Sequence, residues 1–249
     1  MTEGAGPTKE RPILFSAAMV RAILAGRKTQ TRRIVTPQPR LHHYLQPMWG
    51  TSPPPNPVEF GDKHLWREVG PDYPDDERDD RRCPYGVPGD RLWVREEHYR
   101  FGHWERATGR QKRTRTGRQR WRFVADTDEV RFDAPTEFRK GRHHRDSSTP
   151  AWHKRLARFM PRALSRMSLE VTEVRAQRLP EISEDDARAE GVERDTSPCD
   201  HTRLSCADIG CLGQTHRSAF AELWNGINET RAPWSSNPWV WAVTFRRVE

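Results

Sequence analysis

Apolar positions recur along this chain at two different spacings, and the changes of spacing mark its elements. After a polar start, Ile13 to Phe15 reads as a short strand, and "SAAMVRAILAG" follows it with Met19, Val20, Ile23 and Leu24 on one side of a helix. Ser16 stands where a helix N-cap belongs and Gly26 where a C-terminal cap belongs. In "GDRLWVREEHYRF" a Gly-Asp turn gives way to strict alternation, with Leu92, Val94 and Glu96 on one face and Trp93, Arg95 and Glu97 on the other. A second alternating strand is "SLEVTEVRAQRL". A short helix follows in "EISEDDARAEG", capped by Ser183, with Glu184 to Asp186 in the first turn where the helix dipole favours anions. The last elements are a helix over "SAFAELWNGIN" and a strand over "NPWVWAVTFRRV", whose Trp239 and Trp241 share a core-facing side.

Three stretches between these elements lack such periodicity. Residues 37–88 carry "SPPPNP" and the acidic run "DYPDDERDD", which predicts irregular connection with little regular structure. Residues 100–150 open with nine Arg or Lys residues and one acid, Glu105, between Arg100 and Phe123, which predicts an extended basic hairpin. The third insertion, at 194–217, holds most of the cysteines. Several short strands with two or three short helices place the chain in the α+β class, as a small, partly closed β-barrel carrying insertions. Residues 1–11 read as a flexible tail and 12–249 as a single domain.

Composition narrows this reading. Only 34% of the 249 residues are hydrophobic, so the core is modest for the length. Lys plus Arg number 43 against 35 Asp plus Glu, a formal charge of +8 that favours anionic substrates or polyanionic partners. No apolar run approaches the roughly 18 residues of a membrane span, and the N-terminus lacks the apolar centre of a signal peptide, so a soluble, cytoplasmic protein with no membrane partner is expected.

The densest polar motif is "GRKTQTRR", residues 26–33. Lys28, flanked by Arg27, Arg32 and Arg33, has its ammonium form disfavoured by like charges, and burial would act in the same direction. A neutral lysine is a usable base, and Thr31 a nucleophile it could activate. In a strand the offset of three sends these two side chains to opposite faces, so they cooperate only if the chain turns between them. The alternative is a cationic loop whose threonines hydrogen-bond their own backbone.

Together, "PILFSAAMVRAILAGRKTQTRR", "PGDRLWVREE", "LEVTEVRAQRLPEISEDDARAEGV" and "FAELWNGIN" with "NPWVWAVTF" resemble the ASCH domain, a relative of the PUA fold, in the enlarged form often carried by bacteriophages and prophages. The resemblance implies a PUA-like β-barrel. Small bacterial ASCH proteins of this kind are amidohydrolases that remove the acetyl group from N4-acetylcytidine, using a K-T-x-T-x-R motif and a downstream glutamate. Carried over by position, the resemblance implies Lys28, Thr31 and Glu190 as the catalytic trio, with Arg33 as the motif arginine and Ala187 three residues before the glutamate. Arg27, Arg33, Ser16 and Glu96 are read as substrate-binding. This chain is longer than the compact amidohydrolases, and its glutamate is followed by Gly191. The expected activity is hydrolysis of N4-acylated cytosine nucleosides or related modified bases, with no cofactor required. The rival is a non-catalytic RNA- or DNA-binding module, including an accessory protein of phage assembly.

Two further constellations stand apart. Cys199, Cys206, Cys211 and His216 have ligand types that suit a structural zinc, at spacings wider than the usual pairs; the other reading is free thiols in a loop. In the basic hairpin, Arg113, Arg115 and Arg118 with Trp104 and Trp121 either grip phosphates and stack on bases or form a solvated insertion in which the two tryptophans pair across strands.

Overall fold

The computed structural model describes residues 8–39, 44–47, 65–69, 80–109, 113–142, 146–194 and 215–248. In chain order their regular elements are β1 (Glu10–Leu14), α1 (Ala17–Leu24), β2 (Gln30–Ile34), β3 (Tyr44–Pro47), β4 (Leu65–Val69), β5 (Asp80–Arg82), β6 (Arg91–Arg95), β7 (His98–Arg106), β8 (Trp121–Arg131), β9 (Arg139–Lys140), β10 (Ala151–Arg155), β11 (Ser168–Arg178), α2 (Glu184–Ala189), α3 (His216–Asn228) and β12 (Trp239–Val248). The fold is α+β, with most regular residues in strands. Three sheets run in the orders β1-β6-β11-β12-β2, β8-β7-β10-β9 and β3-β4-β5. The five-stranded sheet is open, and among the described residues no pairing closes it into a barrel. Among the described residues no helix is long and apolar enough to cross a membrane.

Contacts divide the chain into two compact units, Met1–Arg11 with Arg21–Leu92 and Ser168–Glu249, and Pro12–Val20 with Trp93–Met167. In the first, β12 pairs antiparallel with both β11 and β2, so that Val243 stands between Val174 and Thr31, and Trp241 opposite Arg33. α2 is held on this sheet by a cluster of Leu179, Ile182, Ala187, Phe220, Trp224 and Val240. Each such buried large side chain stabilises by about 1.5–3 kcal/mol. α2 starts at Ser183, whose hydroxyl accepts the Asp186 N–H, and its Glu184 carboxylate accepts the N–H groups of His216 and Arg217, satisfying the first orphan donors of α3.

Regular structure extends into places where the sequence predicted none. β1 begins at Glu10, inside the expected tail, and Lys9 N donates to Asp90 Oδ1. Residues 37–88 were expected to be irregular, yet they contain the antiparallel sheet β3-β4-β5. Leu45 and Trp66 are its buried anchors, and Trp66 meets Trp241 edge-on at 4.8 Å between ring centres. Strands of three to five residues carry too short an alternation to stand out among prolines and charges.

The second unit is built on β8-β7-β10-β9, and β7 and β8 form the expected hairpin. Its register corrects one expectation: Trp104 lies opposite Phe123, at 5.5 Å between ring centres, while Trp121 lies opposite Arg106. The alternation from Leu92 to Glu97 is as expected, with Leu92, Val94 and Glu96 buried and the residues between them half-exposed.

Candidate active site

The site is set by how α1 ends. Gly26 adopts φ 72°, the left-handed conformation that closes a helix, and the reversing chain lets the N–H groups of Arg27 and Lys28 donate to Ala22 O. Lys28 then pairs with Glu190 in an isolated antiparallel bridge, Thr29 N donates to Ala189 O, and β2 starts at Gln30. Glu190 itself caps the C-terminus of α2, and Gly191 follows at φ 79°. A Cβ on Gly191 would lie 2.7 Å from Lys28 Cβ and 3.1 Å from Ala22 Cβ. The glycine after the glutamate is therefore what allows the two strands of this bridge to approach.

Lys28 is 2% exposed and Glu190 5%. The Lys28 ammonium donates to Glu190 Oε2 at 2.6 Å and to the Glu190 carbonyl at 2.8 Å. The other carboxylate oxygen, Oε1, accepts from Arg32 Nη1 at 3.1 Å. Arg32, buried with its ring partner Phe220 at 5.8 Å, also donates to Gln30 Oε1 and to Asp186 Oδ2. Asp186 accepts further bonds from Gln30 Nε2 and from Arg175. Glu190 is thus the buried end of a charge-assisted network that ties β2, β11 and α2 together.

Opposing effects act on Lys28. Burial is the largest and lowers its pKa; the adjacent Glu190 charge and hydrogen bond raise it; Arg33 and then Arg32 lower it. The net direction is down, so burial and the arginines prevail over the carboxylate. Arg33 is shifted down as well, by burial, against the pull of Tyr85 and Glu190. For Asp186, burial alone would raise the pKa, but Arg175, Arg32 and the Gln30 hydrogen bond outweigh it and the net shift is down.

Thr31, 3% exposed, lies on β2 opposite Val243. Alternation puts it on the face of Arg33, away from Gln30 and Arg32. Lys28 precedes the strand; Arg32 bonds Glu190 directly, and Arg33 interacts electrostatically with Lys28 and Glu190. On the Thr31 and Arg33 face, the Arg33 guanidinium stands 5.9 Å from the Tyr85 ring centre. Next to it a cleft of about 390 Å³ is lined by residues that include Arg81, Arg82, Pro84, Tyr85 and Trp241. Thr31 is two residues from Arg33, about 7 Å along an extended strand.

The remaining predicted residues have local engagements. Arg27 is exposed, pairs with Glu193 at 2.7 Å and borders a second cleft of about 610 Å³ beside α2. Ser16 caps α1, its Oγ accepting from Met19 N. Glu96 holds Arg166 with both carboxylate oxygens, at 2.9 and 3.0 Å. Arg113, Arg115 and Arg118 are exposed at the hairpin tip, and Trp104 and Trp121 are half-buried. His216 donates from Nδ1 to Val192 O, while Cys199, Cys206 and Cys211 lie outside the described residues. Sequence reasoning did not single out Gln30 or Arg175, placed Asp186 only among the first-turn acids of α2, and gave Arg32 only a like-charge effect on Lys28. The i, i+2 spacing of Gln30 and Arg32 was the available signal for two side chains sharing a face.

Comparison of this chain with family models, with curated proteins and with solved structures found no match.

Proposed function

We propose that this chain is an ASCH-type protein with a PUA-like core, and that it hydrolyses the acyl amide of N4-acylated cytosine nucleosides or related modified bases. The observation that carries this reading is the buried Lys28–Glu190 contact, in which the lysine has its charged form disfavoured and a carboxylate within proton-transfer distance. Thr31 Oγ attacks the acyl carbon while Lys28 takes its proton. The proton passes to the departing exocyclic amine, which leaves as cytidine, and water then releases the acyl group from Thr31 as the free acid. Glu190 positions Lys28 and shares its proton. The Arg33 guanidinium supplies charge for the tetrahedral oxyanion. The cleft beside Arg33 offers the ring of Tyr85 for a base and Arg81 and Arg82 for an attached phosphate.

The test is a pair of substitutions at one oxygen. Thr31→Ala abolishes cytidine release from N4-acetylcytidine, whereas Thr31→Ser keeps a nucleophile and retains part of the rate. No step is routed through a metal, so a chelator leaves the wild-type rate unchanged. Thr31→Ala turning over at the wild-type rate would remove the nucleophile from this scheme.

A further inference from the structure

Strand register in the second unit collects cations and rings on one face. Alternation along β7 places His98, Arg100, Gly102, Trp104 and Arg106 together. Opposite them stand Phe123 and Trp121 on β8 and, on β10, His153 and Arg155. The Arg155 guanidinium carbon lies 4.4 Å from the Phe123 ring centre and 5.0 Å from that of Trp104. Gly102 leaves room for this arrangement, since a Cβ there would come within 2.8 Å of Phe123 Cζ.

Among the described residues no carboxylate is within ion-pair distance of Arg155 or Arg100, while Glu96, Glu97, Asp126 and Asp146 are engaged with Arg166, Lys154, His103 and Arg139. Burial and the like charge of Arg100 both push the Arg155 pKa down. A half-buried guanidinium held over rings with no acid beside it is costly unless an anion completes it. The hairpin that extends from this sheet adds Arg113, Arg115, Arg118 and Arg120, all exposed and, among the described residues, without an acid partner. Cations for phosphates interleaved with half-exposed rings for bases are the chemistry that holds a single strand.

We propose that this face of the second unit, with the β7–β8 hairpin, binds single-stranded nucleic acid, with backbone phosphates at Arg155, Arg100 and the hairpin arginines. The site is independent of the amide chemistry at Lys28, and either can fail alone.

The experiment is anisotropy of a labelled 20-nucleotide single strand titrated with the full chain across a salt series. Arg155→Gln weakens binding about tenfold, and Arg155→Lys restores part of the loss, since charge returns without the planar fork. Replacing Arg113, Arg115 and Arg118 by Gln lowers the slope of log affinity against log salt by about 2, since each phosphate contact on a single strand contributes about 0.7. Arg155→Gln hydrolyses N4-acetylcytidine at the wild-type rate, which separates this site from the other. Three results would overturn the proposal: a duplex of equal length binding as tightly as the single strand, millimolar inorganic phosphate displacing the oligonucleotide, or an unchanged salt slope in the triple variant. The triple variant alters only exposed side chains, so it decides the matter even if Arg155→Gln does not fold.

Discussion

A lysine buried against a carboxylate has two consequences that titration can separate. In the proposed mechanism Lys28 must be neutral to take a proton, so kcat/KM is predicted to rise with pH through its lowered pKa, below the ordinary lysine range because burial and the arginines hold it there. The same shift has a stability signature. Between the lowered folded pKa and the ordinary unfolded one, the unfolded chain binds more protons, so the contribution of Lys28 to stability increases as pH rises through that window. Denaturant melts of the wild type and Lys28→Met at two pH values inside the window should show the balance moving toward the wild type at the higher pH; a constant difference would contradict the assigned shift. Asp186 behaves in the opposite sense. Its folded pKa is lowered, so its contribution is present above the ordinary aspartate range and is lost as pH falls through the folded value. Asp186→Asn therefore costs about 1–3 kcal/mol at neutral pH, as expected for losing charge-assisted hydrogen bonds, and the cost fades in acid. At this scale the pairing of Lys28 with Glu190 was expected only through the family resemblance. The Arg32, Gln30 and Asp186 network was not, because it depends on how closely α2 lies against β2, which the periodicity of each element alone leaves open.

Among the elements, the turn from α2 into Gly191 is the most sensitive. Gly191→Ala combines a left-handed φ with a Cβ that meets Lys28, so it should destabilise by about 1–3 kcal/mol and lower amide hydrolysis by displacing the lysine. Gly26→Ala is the control: its φ is also positive, but nothing lies within 4 Å of the added Cβ, so strain is its only cost. Equal melting temperatures and equal rates for the two variants would show that the approach of Gly191 to Lys28 has no consequence. The long strands β11 and β12 and the helix α3 were readable because each carries several periods, while the shorter β6 and α2 were readable from a terminal signal, a Gly-Asp turn before β6 and the Ser183 cap of α2. β3, β4 and β5 carry one or two periods each among prolines and acids. The hairpin was readable from its charge and turn residues, but its register was not, since a slip of two positions keeps the same faces together and exchanges Phe123 for Trp121 as the partner of Trp104.

Across the whole molecule, the sequence was read as a single domain with insertions, and contacts divide the chain into two compact units. The stretch read as a basic insertion at 100–150 lies in the unit that includes Trp93–Met167, and that unit supplies its own four-stranded sheet. The Lys28–Glu190 site and the cation-rich hairpin accordingly fall in different units. The formal +8 charge therefore bears on two separate proposals, a candidate cleft that tolerates anions and a polyanion surface. The central claim is that Lys28 acts as a base and not merely as a charge. It is tested most directly by single-turnover release of cytidine from N4-acetylcytidine by the full chain and by Lys28→Arg, which keeps the cation but cannot give up its proton near neutral pH. The account predicts hydrolysis by the wild type and loss of at least a hundredfold in Lys28→Arg, on the order of a general-base contribution; hydrolysis by Lys28→Arg at the wild-type rate, or none by the wild type, would contradict it.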